Sequence, residues 1–275
     1  MTDLYDGAKQ VLERMDAPIP SWLVKGETPS FVTVDNKGTG HPMILLHGLF
    51  GALSNWDDVA PLMAEYTKPL AFQFPLLTSP RNDVKVKALA AYTWYYLKTK
   101  KFDPAILCGN SMGGHVAMRL YLADPSAVKC MILSGTSGLY EHTVDTLPIR
   151  PDHKFIREHM SRVFYNQKFV TEEAIEDIYS IIKHKKNVLN IINAARSAKK
   201  DYLLSLLKEI KCPVLLLWGE DDLVTTMDVA ETFHKNIPNA KLVTIKNCGH
   251  APMIEYPEWF SEQVKIFLQE NSLVD

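Results

Sequence analysis

Four cysteines in 275 residues, Cys108, Cys130, Cys212 and Cys248, are too few and too scattered for a disulfide scaffold. None has the CxxC spacing of a zinc site, so reduced thiols packed as small hydrophobes are expected. Neither sign of charge dominates: 30 Lys and Arg against 32 Asp and Glu leave a net −2, which gives no electrostatic basis for binding nucleic acid. Long apolar runs are missing as well. Stretches such as PVLLLW and HPMILL fall far short of a bilayer-spanning helix, so no membrane association is expected. The opening residues MTDLYDGAKQ lack the basic and apolar segments of a secretory leader, and a cytoplasmic address is the expectation. Internal repeats, low-complexity tracts, an HExxH pair and a GxGxxG opening a helix are all absent, so neither a metal nor an organic cofactor is called for.

What the chain does contain is an alternation of short apolar runs with longer amphipathic segments, the pattern of βα units around a parallel sheet. Strands are predicted near Phe31–Val34, Met43–His47, Leu70–Phe74, Ala105–Cys108, Val128–Leu133, Val214–Trp218 and Lys241–Ile245. Their unbroken apolar character calls for helices on both faces. Helices are predicted at about 56–65, 84–100, 112–123, 226–236 and 257–269. Between Gly138 and Glu209 the rhythm stops, and only charged, helix-patterned segments follow one another. The expected architecture is an α/β core domain built from 1–138 and 209–275, with a helical cap inserted at 139–208. Thr171, followed by Glu172 and Glu173, reads as the N-cap of a cap helix.

In LCGNSMGGHVA, residues 107–117, Ser111 stands between Gly109 and Gly113, after an apolar run and before an apolar helix. This is the G-x-S-x-G pattern of a nucleophile elbow, a turn so tight that side chains at the flanking positions would collide. A serine hydroxyl needs a base, and the base an orienting acid. The required order is Ser, then Asp or Glu, then His. Acids follow the strand in VLLLWGEDDLVTTMD, where Asp222 or Asp221, with Glu220 more distant, could orient the base; His250 follows the next strand in VTIKNCGHAPMIEYPEWF. The loop of LLHGLFG, residues 45–51, places the amide of Leu49 where, with that of Met112, it would form an oxyanion hole; His47 is expected to brace this loop.

Together, GNSMGG, HGLFG, WGEDD with TMD, and NCGHAPMIEYPEWF resemble the α/β-hydrolase superfamily, from about Phe31 to Leu268. Within it they look like the esterase and meta-cleavage-product hydrolase branch. The resemblance implies an α/β-hydrolase fold: a mostly parallel central sheet flanked by helices, with an inserted helical cap. It also favours Asp222 as the acid, third after the strand-ending Gly219. FYNQKFVTEEAIEDIY resembles the cap of the meta-cleavage-product hydrolases, which split carbon–carbon bonds in vinylogous diketo acids. Two positions depart from that group. Ile178-Tyr179 replaces an arginine followed by an aromatic, and Ala251 stands where tryptophan commonly follows the histidine. Arg157, Arg162 or Arg196, elsewhere in the cap, could hold a substrate carboxylate instead.

These readings together favour a serine hydrolase of small to medium carboxylic esters acting through Ser111, His250 and Asp222. The alternatives are a carbon–carbon hydrolase of the meta-cleavage-product type, cofactor-free haloperoxidase-like chemistry, and a non-catalytic ligand-binding member of the fold. Candidate substrate contacts are Phe50, Trp56, Tyr140 and Phe164. The expected partner is a small-molecule substrate, with a homodimer as a further candidate assembly.

Overall fold

The computed structural model describes residues 2–140 and 151–274. Each predicted run is a strand: β1 (Val32–Asp35), β2 (Pro42–Leu46), β3 (Lys68–Gln73), β4 (Ala105–Asn110), β5 (Val128–Ser134), β6 (Val214–Gly219) and β7 (Ala240–Ile245). They form one sheet in the order β1-β3-β2-β4-β5-β6-β7, parallel throughout except for β1, which runs antiparallel to β3. This is the alpha/beta hydrolase fold. Because successive strand side chains point to opposite faces, each apolar run divides between two cores. Ile44, Leu46, Leu107, Leu133 and Leu216 face one cluster; Met43, Leu45, Ile106, Ile132 and Leu217 face the other.

The helices are α1 (Thr2–Arg14), α2 (Ser21–Val24), α3 (Ala60–Met63), α4 (Val86–Lys100), α5 (Met112–Ala123), α6 (His153–Val163), α7 (Glu172–Ile182), α8 (Lys185–Lys200), α9 (Met227–Asn236), α10 (Pro252–Glu255) and α11 (Pro257–Glu270). Two departures from the sequence reading stand out. Helix α1 was not anticipated, although Ala8, Val11, Leu12 and Met15, spaced for one helical face, are all buried. The single helix expected over 56–65 is instead a 3₁₀ turn at Leu53–Trp56 followed by the short α3, whose first turn contains Pro61, a residue suited to a helix start and not to its interior.

The stretch 139–208 contributes α6, α7 and α8; its residues 141–150 lie outside the described ones. Asp152 and Thr171 cap α6 and α7, accepting the amides of Phe155 at 2.8 Å and Ala174 at 3.1 Å. The buried stripes of these three helices, Ile156, Met160, Ile175, Ile182, Val188 and Ile191, make a third apolar cluster of their own. Where the chain returns to the core, Leu203 N–H bonds Gly138 O at 2.9 Å. Beside it the buried Asp201 accepts Arg119 in two hydrogen bonds of 2.5 and 2.6 Å and faces His115 at 3.1 Å, both residues of α5.

Candidate active site

Strand order and chain order part between β2 and β4, which neighbour each other although β3 intervenes in sequence. A crevice forms at the carboxyl ends of strands at such a point. The loop after β2, the β4–α5 turn and the loops after β6 and β7 all leave the sheet at this edge.

Ser111 occupies the β4–α5 turn with φ 54° and ψ −120°, a left-handed backbone that costs a non-glycine residue about 1–3 kcal/mol. Neighbouring backbone holds it there: its N–H donates to Ser134 O at 3.0 Å, and its carbonyl accepts from Ser137 N and Gly114 N, each at 3.1 Å. The flanking glycines are sterically required. A Cβ at Gly109 would lie 2.5 Å from the backbone of Gly113, and one at Gly113 would lie 2.0 Å from Leu46 O. Met112 opens α5, so its N–H has no acceptor within the helix. The β2 loop runs close by, near enough that a Cβ on Gly48 would sit 3.2 Å from Ser111 Cβ. Leu49 lies on this loop, and its amide has no acceptor among the backbone hydrogen bonds of the described residues. Two such amides beside a helix N-terminus can polarise a carbonyl oxygen. His47 holds the loop: burial pushes its pKa down to about 4, so the neutral ring donates from Nδ1 to Gly48 O at 2.7 Å while Nε2 accepts Phe74 N–H at 3.0 Å.

Asp222 follows Gly219, the end of β6, at the third position. Its Oδ1 accepts the amides of Val224 at 2.7 Å and Thr225 at 3.0 Å; Oδ2 accepts the Thr225 hydroxyl at 2.9 Å and lies 2.8 Å from His250 Nδ1. A carboxylate only accepts, so Nδ1 carries a proton and donates it to Asp222. Asp221 and Glu220 are engaged elsewhere, with Asn247 N–H at 2.9 Å and the Thr244 hydroxyl at 2.9 Å. The backbone of His250 is fixed by Val163 O, which accepts its N–H at 2.7 Å, and by Asn110 Nδ2, which donates to its carbonyl at 3.0 Å. Glu255, a residue that sequence reasoning missed, accepts Gly249 N–H at 2.7 Å and Asn166 N–H at 2.8 Å.

Ser111, His250 and Leu49 line one cavity of about 600 Å³ beneath α6 and α7. Phe50 and Phe164 line it too, as do Ile178 and Ala251, the two positions that depart from the meta-cleavage pattern. Trp56 and Tyr140 do not face it. Trp56 ends the 3₁₀ turn pointing inward, buried against Phe260 of α11 at 6.5 Å between ring centroids. Tyr140 is 61% exposed and pairs with Tyr202 on the surface. His159, from α6, enters the cavity wall without having been anticipated.

A profile described as the Alpha/beta hydrolase family matches residues 43–263. The chain is 27% identical over 275 residues to the 2-hydroxy-6-oxononadienedioate/2-hydroxy-6-oxononatrienedioate hydrolase of Burkholderia vietnamiensis, spanning 90% of this chain and 94% of that protein. It is 23% identical over 274 residues to the uncharacterized hydrolase YugF of Bacillus subtilis, spanning 92% and 98%. The crystal structure of MGS-MChE2, an alpha/beta hydrolase enzyme from a lagoon-sediment metagenome, superposes with a TM-score of 0.73 at 28% identity, covering 90% and 98% of the two chains. CumD, a meta-cleavage product hydrolase solved as a point mutant, superposes with a TM-score of 0.78 at 20% identity, covering 87% and 94%.

Proposed function

The chain belongs to the alpha/beta hydrolase family, and from that premise we propose that it is a serine hydrolase cleaving a small to medium carboxylic ester through Ser111, His250 and Asp222. The observation behind this reading is the buried 2.8 Å contact of Asp222 with His250, in a cavity that also holds a serine raised on a strained turn. His250 Nε2 takes the Ser111 proton as the hydroxyl oxygen attacks the ester carbonyl. The tetrahedral oxyanion is held by the amides of Leu49 and Met112. On collapse, His250 returns the proton to the departing alcohol, leaving an acyl-serine ester. Water, deprotonated by the same imidazole, attacks that ester; the acid leaves and Ser111 regains its proton.

Carbon–carbon hydrolysis is a second reading, favoured by the relatives' names. The Burkholderia relative is named for a dioate. Against it, none of the described residues lining the cavity is Lys or Arg. Arg157 pairs with Glu172, Arg162 lines an adjoining groove, and Arg196 is exposed. A carboxylate entering here would forgo a charge-assisted hydrogen bond of about 1.5–3 kcal/mol. An ester has no such requirement.

Labelling with a fluorophosphonate, followed by peptide mapping, tests the nucleophile, and an unlabelled Ser111 ends both readings. Turnover of p-nitrophenyl esters against a vinylogous diketo acid then decides between them; turnover of the diketo acid alone replaces the ester assignment.

A further inference from the structure

His159 sits in the penultimate turn of α6, with its ring edge-on to Phe50 at 5.0 Å between centroids and loosely stacked on Phe155 at 6.2 Å. It lines the same cavity as Ser111 and His250. Among the described residues neither ring nitrogen has a hydrogen-bond partner, and neither is sealed from solvent-accessible space. Because the nitrogens open onto the cavity, a ligand that displaces water from them and offers no hydrogen-bond partner leaves a polar group unpaired in an apolar wall, which is unfavourable. Burial, reinforced by nearby His250 and Arg162, pushes the His159 pKa down to about 4. At neutral pH the ring is therefore uncharged and presents one N–H donor and one bare acceptor nitrogen. The other polar groups on the wall narrow the choice of ligand: Ser54, Asn55, Asn110 and Ser180 are neutral, Asp177 is the acid at the exposed rim, and no Lys or Arg lines the cavity among the described residues.

We propose that His159 is the polar anchor of the substrate cavity. It hydrogen-bonds an uncharged hydroxyl or carbonyl oxygen of the ester, away from the bond that is cut, and so selects neutral oxygenated esters over purely hydrocarbon and carboxylate-bearing ones. The substrate class rests on the serine-hydrolase reading of this cavity; the anchor itself does not. A hydrocarbon chain would leave both nitrogens unpaired, and a carboxylate would be stripped of water, meet no Lys or Arg on the cavity wall and face Asp177.

Calorimetric binding on Ser111→Ala protein, where no ester is consumed, provides the test. Matched esters carry a hydroxyl, a methyl or a carboxylate at one distal position, in one series on the acyl chain and in the other on the alcohol. In one series the hydroxyl member binds about 3–10-fold more tightly than the methyl member, and the carboxylate member binds most weakly. Adding His159→Phe, which preserves a ring against Phe50, removes the hydroxyl preference, while His159→Gln keeps part of it. With Ser111 intact, His159→Phe raises KM for the hydroxy ester more than for its methyl partner and spares the ratio of their kcat values. Equal affinity for hydroxyl and methyl members in both series, or an equal loss for both in His159→Phe, overturns the proposal. Hydroxyl selectivity in Ser111→Ala protein without turnover by the native protein would refute the hydrolase reading and leave the anchor standing.

Discussion

The backbone N–H of His250 donates to the carbonyl of Val163 at 2.7 Å, so the last turn of α6 holds the loop on which the imidazole is mounted. Glu255 ties the same two segments a second time, bridging the amides of Gly249 and Asn166 with its two carboxylate oxygens. Residues 163–166 over the cavity and 249–250 beneath it thus form one hydrogen-bonded block, and a displacement of α6 drags the histidine with it.

Glu255→Ala strips that block of its bridge and leaves two amides without acceptors. The expected loss is about 1–3 kcal/mol of unfolding free energy, read by urea titration, together with a fall in kcat larger than any rise in KM. Glu255→Gln recovers part of both, since its amide retains one acceptor oxygen.

The two adjacent acids give a direct comparison. Asp222→Asn lowers kcat on a p-nitrophenyl ester by about 10²–10⁴ because the imidazole loses the acceptor that fixes its tautomer. Asp221→Asn touches only the Asn247 turn and costs less than about tenfold. Steady-state kinetics on both variants decide, and a larger loss at Asp221 reverses the assignment.

Strain at the serine turn can be read without any substrate. Ser111→Ala keeps a Cβ at φ 54°, whereas Ser111→Gly removes it. The glycine variant unfolds with a free energy about 1 kcal/mol above that of the alanine variant, both being inactive toward esters.

The strands and the strand-end loops are legible in sequence because a parallel sheet covered on both faces needs unbroken apolar runs, and the chemistry-bearing residues follow those runs directly. Directions of side chains are not legible in the same way. Phe50 and Trp56 lie six positions apart on one loop, yet one faces the cavity and the other the core, a choice set by where α11 packs. Helix α1 carries its apolar stripe openly, but a βα rhythm offers no slot for a helix ahead of the first strand. His159 and Glu255 have no local signature. One sits among charged residues on an amphipathic helix, the other resembles an acid in a helix's first turn, and only the tertiary structure sets His159 against Phe50 and gives Glu255 its two amides.

Acid weakens the fold through histidines before carboxylates. His47 and His159 titrate near 4 when folded, against 6.5 in the unfolded chain. The unfolded state therefore binds protons that the native state refuses; stability is complete above about pH 6.5 and falls as pH drops toward 4. Between pH 7 and 5 each histidine removes about 2 kcal/mol, measured by urea unfolding, and His159→Phe halves the combined decline. Asp201 acts lower: burial raises its carboxyl, but hydrogen bonds from His115 and Arg119 outweigh this and bring it down to about 2. Its contribution is present above pH 3.8 and disappears as pH falls toward 2.

Asn110 and His250 share a hydrogen bond across 140 positions of chain, so its two ends are synthesised far apart in time. During synthesis β1 to β5 and the serine turn emerge long before β7 docks at the far edge. A nascent chain can therefore display the hydroxyl and its neighbouring amides while the imidazole is still inside the ribosome. The proposed pairing of Ser111 with His250 is therefore complete only once the final βα unit has docked.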